Sequence, residues 1–490
     1  MDRYDTRNAA QSVRSLAAAC DSSRSGNDTG GRMTETVSTP KQPDNTFGLL
    51  IIGAGPAGLA PLLAAARNGL LPHVLSTGVL LVDRAHEPGA GRLGNYIITS
   101  DSSADTFLSC VRNSPVPELA VLAETPLAQE VAAYGADCVP LELAGRLMAE
   151  VGKAMANLIA RSPHGRVAMG TEVDRLDENV DGSWTAQLRD VQTGRTETVK
   201  AASILVATGA TQEPARLQHL PVGGAPLLPR YENKLIQSDE FLSHDGFART
   251  IAALTAMDSP KVAIVGGSTS AMSCARQILI ALEGHTPPVH VTLLHRHPMT
   301  IFYPGRDAAH ADGYTSFDER DICALSGFVH RFGGFRFESR ILARQLLGVG
   351  DAPPEPRMSL HQLQEGNDAE ARRILDNADL VIACLGYRPA AVPIRDRTGA
   401  LLPLAAQEEG RPLVNDACEV IAADATPIPG LFGIGLACGY RPPIEMGGER
   451  SFSGQVNGLW LWQNDVGLML IRRLLAYSGN LPPEEAAHAA

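Results

Sequence analysis

Gly53, Gly55 and Gly58 follow an apolar run, Leu49–Ile52, and lead into apolar helical sequence reaching Ala66. A buried strand, a glycine-rich turn and a helix in that order can hold the pyrophosphate of a dinucleotide. Gly53 permits the tight turn, Gly55 lets backbone approach the phosphates, and Gly58 lets helix and strand close up. Pro56 and Ala57 open the helix, whose first N–H groups attract an anion. The next strand, Gly78–Asp83, ends in a carboxylate that can accept from ribose hydroxyls; the alternative for Asp83 is a solvated strand end. Arg84 follows directly. Arg92, in the glycine-rich loop Glu87–Asn95, could contact a phosphate or a ribose, or simply face solvent. Pro61 has no N–H to give, so it is expected in the first turn of the helix.

The same logic recurs at Lys261–Arg276. Strand Val262–Val265 meets Gly266, Gly267 and Ser268; Thr269 and Ser270 open a helix, and Ala271 takes the third glycine place. The strand after it, Val289–Leu294, ends in His295-Arg296-His297 with no carboxylate. An acidic residue there suits an NAD ribose, whereas an arginine suits a 2′-phosphate. Arg296 therefore favours NADPH, its alternative being plain exposure. Two such sites define a hydride path, from NADPH at the second to FAD at the first.

The elements between them fall into order. Thr106 to about Ser162 reads as mostly helical. Period-two runs follow at Arg166–Leu176, Ser183–Arg189 and Thr196–Val199, separated by turn signals. They lead into a buried strand, Ala202–Val206, and then Ala207-Thr208-Gly209, where small residues at a strand end leave room for a cofactor. A meander ending in that tripeptide resembles flavoproteins with two dinucleotide-binding domains. The fold class expected is α/β, with two Rossmann-like domains and β-meanders, the FAD domain carrying the NADPH domain as an insertion. Boundaries are 1–45 for a disordered extension, 46–225 and 376–477 for the FAD domain, 226–375 for the NADPH domain and 478–490 for a tail.

Composition narrows the class. The chain has 490 residues, 44% apolar and 20% charged, with a formal net charge of −12, which argues against nucleic-acid and anionic-membrane surfaces. Leu459–Leu475 is interrupted by Asn464, Asp465, Arg472 and Arg473, so no membrane span is expected. Eight cysteines are scattered without a CxxC, which fits a reducing, cytoplasmic setting and removes a local redox dithiol. Cysteine and histidine spacings match no metal or iron–sulfur site. Dioxygen is the natural electron acceptor that remains.

The chain resembles the single-component FAD- and NADPH-dependent flavin monooxygenases, especially the N-hydroxylating amine monooxygenases. The resemblance rests on GAGPAGLA (Gly53–Ala60), ATG (Ala207–Gly209), GGSTSA (Gly266–Ala271), TSFDERD (Thr315–Asp321) and DLVIACLGY (Asp379–Tyr387). In the last, Cys384-Leu385 replaces the family's Ala-Thr. IQSDEF (Ile236–Phe241) is similar to a His-Ser segment, with Gln237 in place of His. PGLFGIG (Pro429–Gly435) is similar to the strand and turn closing the FAD domain, without the usual Gly-Asp. Gln455, Asn457 and Gly458 are expected to open the final helix near the flavin.

The resemblance implies reduction of FAD by NADPH, addition of O2 at flavin C4a to give a hydroperoxide, and oxygen transfer to a small-molecule nitrogen or sulfur. Protein side chains then bind and exclude water, and no nucleophile is assigned. Gln237, Arg441 and Asn457 are candidate flavin-edge or substrate contacts. His310, Asp312, Asp318 and Glu319 could form a lid or a surface loop, and Arg388 could reach a phosphate or form an ion pair. Two alternatives stay open: a flavin reductase without oxygenation, and a flavin-binding protein whose cofactor is structural or regulatory. A homo-oligomer is compatible with the sequence, and substrate identity is not legible in it.

Overall fold

A computed structural model describes residues 45–477 and Gly479. The expected N-terminal extension, Asn45 excepted, lies outside the described residues, as does the expected tail apart from Gly479. The first sheet begins with β1 (Thr46–Ile52), whose burial is nearly continuous, followed by α1 (Pro56–Arg67) and β2 (Val79–Asp83). A long amphipathic helix, α2 (Leu141–Arg161), covers it. Then come β3 (Arg166–Met169), β4 (Thr171–Glu178), β5 (Trp184–Asp190) and β6 (Thr196–Val206).

β1 is parallel to β2 and to β6, with Leu50 opposite Leu80 on one side and Ile204 on the other. The expected run Arg166–Leu176 is two strands. Gly170, at φ +65°, turns the chain between them. β3 extends the parallel edge beside β2, while β4 starts the antiparallel meander through β5 to β6. Conversely, Thr196–Val199 and Ala202–Val206 form one strand whose two halves serve different partners. Its first half pairs with β5.

The second sheet holds β7 (Leu235–Gln237), β8 (Lys261–Val265), β9 (His290–His295), β10 (Met358–Gln362) and β11 (Leu380–Ala383), all parallel, in the order β7-β11-β8-β9-β10. Helix α3 (Thr269–Ala281) follows β8. Asp379–Tyr387 was expected in the FAD domain; instead β11 lies centrally in this second sheet, Ile382 opposite both Ile264 and Ile236. A fully buried apolar strand carries no record of which sheet it will enter. The return to the first sheet therefore follows Tyr387 rather than starting at 376.

After it, β12 (Pro427–Gly433) adds in parallel to the second half of β6, Leu431 opposite Ile204. The final helix is not continuous: α4 (Leu459–Gln463) and α5 (Asp465–Tyr477) are separated at Asn464, whose φ and ψ of −128° and −109° leave helical space. Gly458 is the N-cap of α4, but Gln455 and Asn457 precede it in irregular chain. Pro61 is likewise not in the first turn; it is the sixth residue of α1 and buried. The missing hydrogen bond is tolerated because α1 is buried from Gly58 to Ala66 and held by packing rather than propensity. Among the described residues, no helix is long and apolar enough to cross a membrane.

Candidate functional site

At the first glycine-rich turn the fit is close on every side. Gly53 has φ +107°, and a Cβ there would stand 2.2 Å from the Ala207 carbonyl oxygen at the end of β6. A Cβ on Gly58 would stand 1.9 Å from the Gly53 oxygen, so α1 sits directly on its own turn. Gly55 faces Gly91, whose Cα would lie 3.5 Å from a Cβ at Gly55. The Gly89 N–H donates to Ala54 O at 2.7 Å, which fastens the loop carrying Arg92 over the turn. From the other end of the chain, Gly435, after β12, brings its α-carbon against Ala57: a Cβ there would be 3.1 Å from that of Ala57.

The Asp83 carboxylate closes this turn from the side. It accepts from the Ala54 N–H at 2.6 Å and from the Ala85 N–H at 2.7 Å. Carboxylate oxygens have further lone pairs, so these two bonds shape the turn and still leave acceptor capacity. Arg84 is largely exposed and 3.8 Å from Glu172. Thr208 donates its hydroxyl to Ala390 O, and a Cβ on Gly209 would meet nothing within 4 Å.

The second turn is built from the same parts with a looser fit. Gly266, at φ +138°, would place a Cβ 2.4 Å from the Cys384 carbonyl oxygen, and the Cys384 N–H donates to Val265 O at 2.7 Å. At Gly267 a Cβ would come 3.0 Å from that of His295. Ala271 already carries its methyl and is fully buried. Arg296 is exposed and donates to Pro221 O at 3.3 Å.

Both helices leave their first N–H groups without a side-chain cap. Gly55 has none to offer, and Ser268 does not use its hydroxyl. Elsewhere Ser103, Thr125, Ser243 and Asp368 cap helices, while α2 and the helix Phe337–Leu347 also lack a side-chain cap, so it is the glycines beside the N-termini of α1 and α3 that set them apart. Two uncapped N-termini, each after a parallel strand and each beside clearance-limited glycines, fit the phosphates of two dinucleotides.

The chain crosses between the sheets twice, and the crossings lie side by side. Ala210–Thr211 is antiparallel to Arg388–Pro389, and the Ala390 N–H donates to Gly209 O at 3.0 Å. Arg216 clamps the returning crossing through Leu385 O at 3.1 Å and Glu409 at 2.8 Å, and Arg388 pairs with the same Glu409 at 3.0 Å. Arg388 thus takes the ion-pair alternative. Gln237 donates to Gln212 O at 3.0 Å, within the outgoing crossing.

Asp239, two residues on, was not singled out by sequence. It accepts from Arg92 at 2.7 Å, from Tyr96 at 2.5 Å and from Tyr387 at 3.1 Å, and its N–H donates to Gln212 at 3.0 Å. Burial pushes both the Tyr96 and Tyr387 phenols up, so each stays a neutral donor. The signal was present only in part: IQSDEF stood out, but its partners are scattered along the chain.

Other candidates separate. Asn457, Gln455 and Arg441 are all exposed in one irregular stretch, and Asn457 accepts from the Ala437 N–H at 3.3 Å beside the Gly435 turn. Asp312 belongs to a structural cluster with Tyr303, Arg340 and Arg344, and Asp318 caps the short turn Glu319–Asp321. Glu319 pairs with Arg306 at 2.5 Å, and His310 stacks on Phe317. Among the described residues, no group of three or more His, Cys, Asp and Glu could hold a metal ion.

Comparison with known proteins agrees with this geometry. The profile of the family described as pyridine nucleotide-disulphide oxidoreductase matches residues 47–315. The chain is 30% identical over 435 residues to a CMP-5'-(3-aminopropyl)phosphonate hydroxylase from Streptomyces rubellomurinus, spanning 88% of this chain and 98% of that one. Among solved structures, FAD-bound DfoA, the cadaverine monooxygenase of desferrioxamine biosynthesis in Erwinia amylovora, shares the fold. The TM-score is 0.52 at 13% identity, over 89% of this chain and 96% of that one. The two glycine-rich cradles agree with these matches, and the chain belongs to the pyridine nucleotide-disulphide oxidoreductase family, with a near full-length relative that is a hydroxylase.

Proposed function

We propose that the protein N-hydroxylates a small primary amine bearing an anionic group, using NADPH and O2. The observation that carries this reading is the pair of open helix N-termini served by one chain whose 30% relative is a hydroxylase over 98% of its length. That relative acts on an aminoalkyl phosphonate joined to CMP, which supports an amine with a phosphonate or nucleotide handle as the substrate class. When bound, FAD supplies the hydride acceptor and the oxygen-activating carbon, and NADPH supplies the hydride.

The chain's own residues divide the work. We assign the FAD pyrophosphate to Gly53, Gly55, Pro56, Ala57 and Gly58, and its ribose to Asp83, with Arg84 and Arg92 at the rim. Thr208, Gly209, Gly435 and Gln455 border the flavin. Gly266, Gly267, Ser268, Thr269 and Ser270 hold the NADPH pyrophosphate, and Arg296 its 2′-phosphate. Gln237, Arg441 and Asn457 are assigned to the substrate edge, where their amides and guanidinium would orient the amine and its anion while the irregular 437–458 stretch excludes water.

Electron transfer to a dithiol of this chain has little support. Every described cysteine is free, and Cys274 and Cys384, with sulfurs 3.9 Å apart, are buried under the second turn, where burial pushes the Cys274 thiol well up. A buried thiol held protonated is a poor nucleophile for exchange.

The test is oxygen uptake by the purified, FAD-loaded protein with NADPH across diamines, aminoalkyl phosphonates and their CMP conjugates. Hydroxylamine product and leaked peroxide are measured together. Product matching NADPH consumed, with an anionic amine preferred, is expected. NADPH oxidation that proceeds without O2 on an added electron acceptor, with no hydroxylamine formed, would overturn the reading.

A further inference from the structure

We propose that Asp239 is a positioning residue that sets how closely the NADPH cradle approaches the FAD cradle. This rests on the function just proposed and adds a residue to it that the sequence did not single out within IQSDEF. Its carboxylate is 17% exposed and takes three donors from two distant segments: Arg92, Tyr96 and Tyr387. Its own N–H is spent on Gln212. One residue therefore joins the loop above the first turn and the returning crossing through its carboxylate, and the outgoing crossing through its N–H.

The connections onward are short. Arg92 follows Gly91, which lies against Gly55 and Pro56. Tyr387 is three residues past Cys384, whose carbonyl lies against Gly266. Asp239 itself follows β7, which pairs with β11, so it is rigidly attached to the second sheet. Both cradles are thus tied to one carboxylate through a few residues of chain each.

Three donors on a mostly buried carboxylate form a unit in which losing the acceptor leaves several groups unpaired. Burial keeps the two phenols protonated, so both remain donors to the carboxylate. Hydride transfer needs the reacting atoms near van der Waals contact, and a displacement of about 1 Å can cost on the order of a hundredfold in rate. Loosening Asp239 should therefore slow reduction without emptying either cofactor site.

The experiment compares wild type with Asp239→Asn and Tyr387→Phe, each loaded with FAD. Bound FAD and NADPH affinity are measured at equilibrium, anaerobic bleaching of the flavin is followed at saturating NADPH, and backbone hydrogen exchange is read at 209–212 and 386–390. For Asp239→Asn we expect FAD content and NADPH affinity within about twofold of wild type, bleaching slower by about tenfold to a hundredfold, and faster exchange at both crossings. Tyr387→Phe, which removes one donor and keeps the carboxylate, should fall between the two and serves alone if Asp239→Asn does not fold. Wild-type bleaching in the variants, or crossings that exchange as in wild type, overturns the proposal. If NADPH does not bleach the wild-type flavin at all, the monooxygenase reading fails instead, and the exchange measurement still decides whether Asp239 holds the crossings.

Discussion

The two glycine-rich turns are built on one plan and differ in tightness. At the first, a methyl on the third glycine would collide with backbone at 1.9 Å; at the second, Ala271 already holds a methyl in the same place. The first has a carboxylate, Asp83, bonded into the turn itself at 2.6 Å, whereas the second has the buried His295, turned to His297 O at 2.9 Å, and the exposed Arg296 beyond it. A helix seated hard on its strand suits a cofactor that stays. A helix that carries a methyl at that place, with its charged contact at the surface, suits one that comes and goes with each turnover.

That contrast can be broken most sharply at Gly58. Gly58→Ala should displace α1 from β1, cost about 3 kcal/mol or more in urea unfolding, and yield protein without bound flavin. A yellow, fully stable variant would mean that the seat is not tight.

A second comparison sets open helix ends against a closed one. Asp368, 3% exposed, caps the helix Ala369–Asn377 and also accepts from the Gln364 N–H and from His361. Burial alone would raise its pKa, but the Ala371 and Gln364 amides and His361 outweigh burial and bring it down to about 2. A lowered folded-state value means that the stabilisation is fully present above the ordinary carboxylate range and lost as pH falls toward 2. Asp368→Asn should therefore cost about 2 kcal/mol at neutral pH, and the gap to wild type should shrink between about pH 4 and pH 2 in thermal unfolding. A gap independent of pH in that window would refute the assignment.

Arg296→Ala probes the surface contact of the second turn. NADPH should weaken by about tenfold or more and NADH hardly at all, as measured by the concentration dependence of flavin reduction. Equal losses would remove the 2′-phosphate from Arg296. The smallest change is expected for Ala271→Gly: about 0.5–1 kcal/mol of stability through helix propensity, with NADPH affinity nearly unchanged. A large gain or loss in affinity would show that the methyl sets the cradle after all.

What could be read from sequence divides along the same physical line. The turns at 53–58 and 266–271 were legible because strand, turn and helix are neighbours in the chain, and their chemistry is local. Where β11 would dock was not, since Leu380–Ala383 is apolar throughout and its partners Ile236 and Ile264 are chosen by tertiary packing. Pro61 misled for the same reason: propensity placed it in a first turn, and burial of α1 overrode that. Asp239 was hidden because Arg92, Tyr96 and Tyr387 reach it from more than a hundred residues away.

The paired crossings at Ala210–Thr211 and Arg388–Pro389 carry one more consequence. Everything between them leaves and re-enters the first sheet at a single doorway, and a replacement for that stretch must also match the contacts of Glu338 with Thr99 and of the Phe332 and Gly333 N–H groups with Glu449. A module from another source, spliced in between 209 and 390 with matching ends, would meet an unbroken flavin half whose strands are all supplied from outside the splice. Swapping such modules offers a route to change which reductant the enzyme uses.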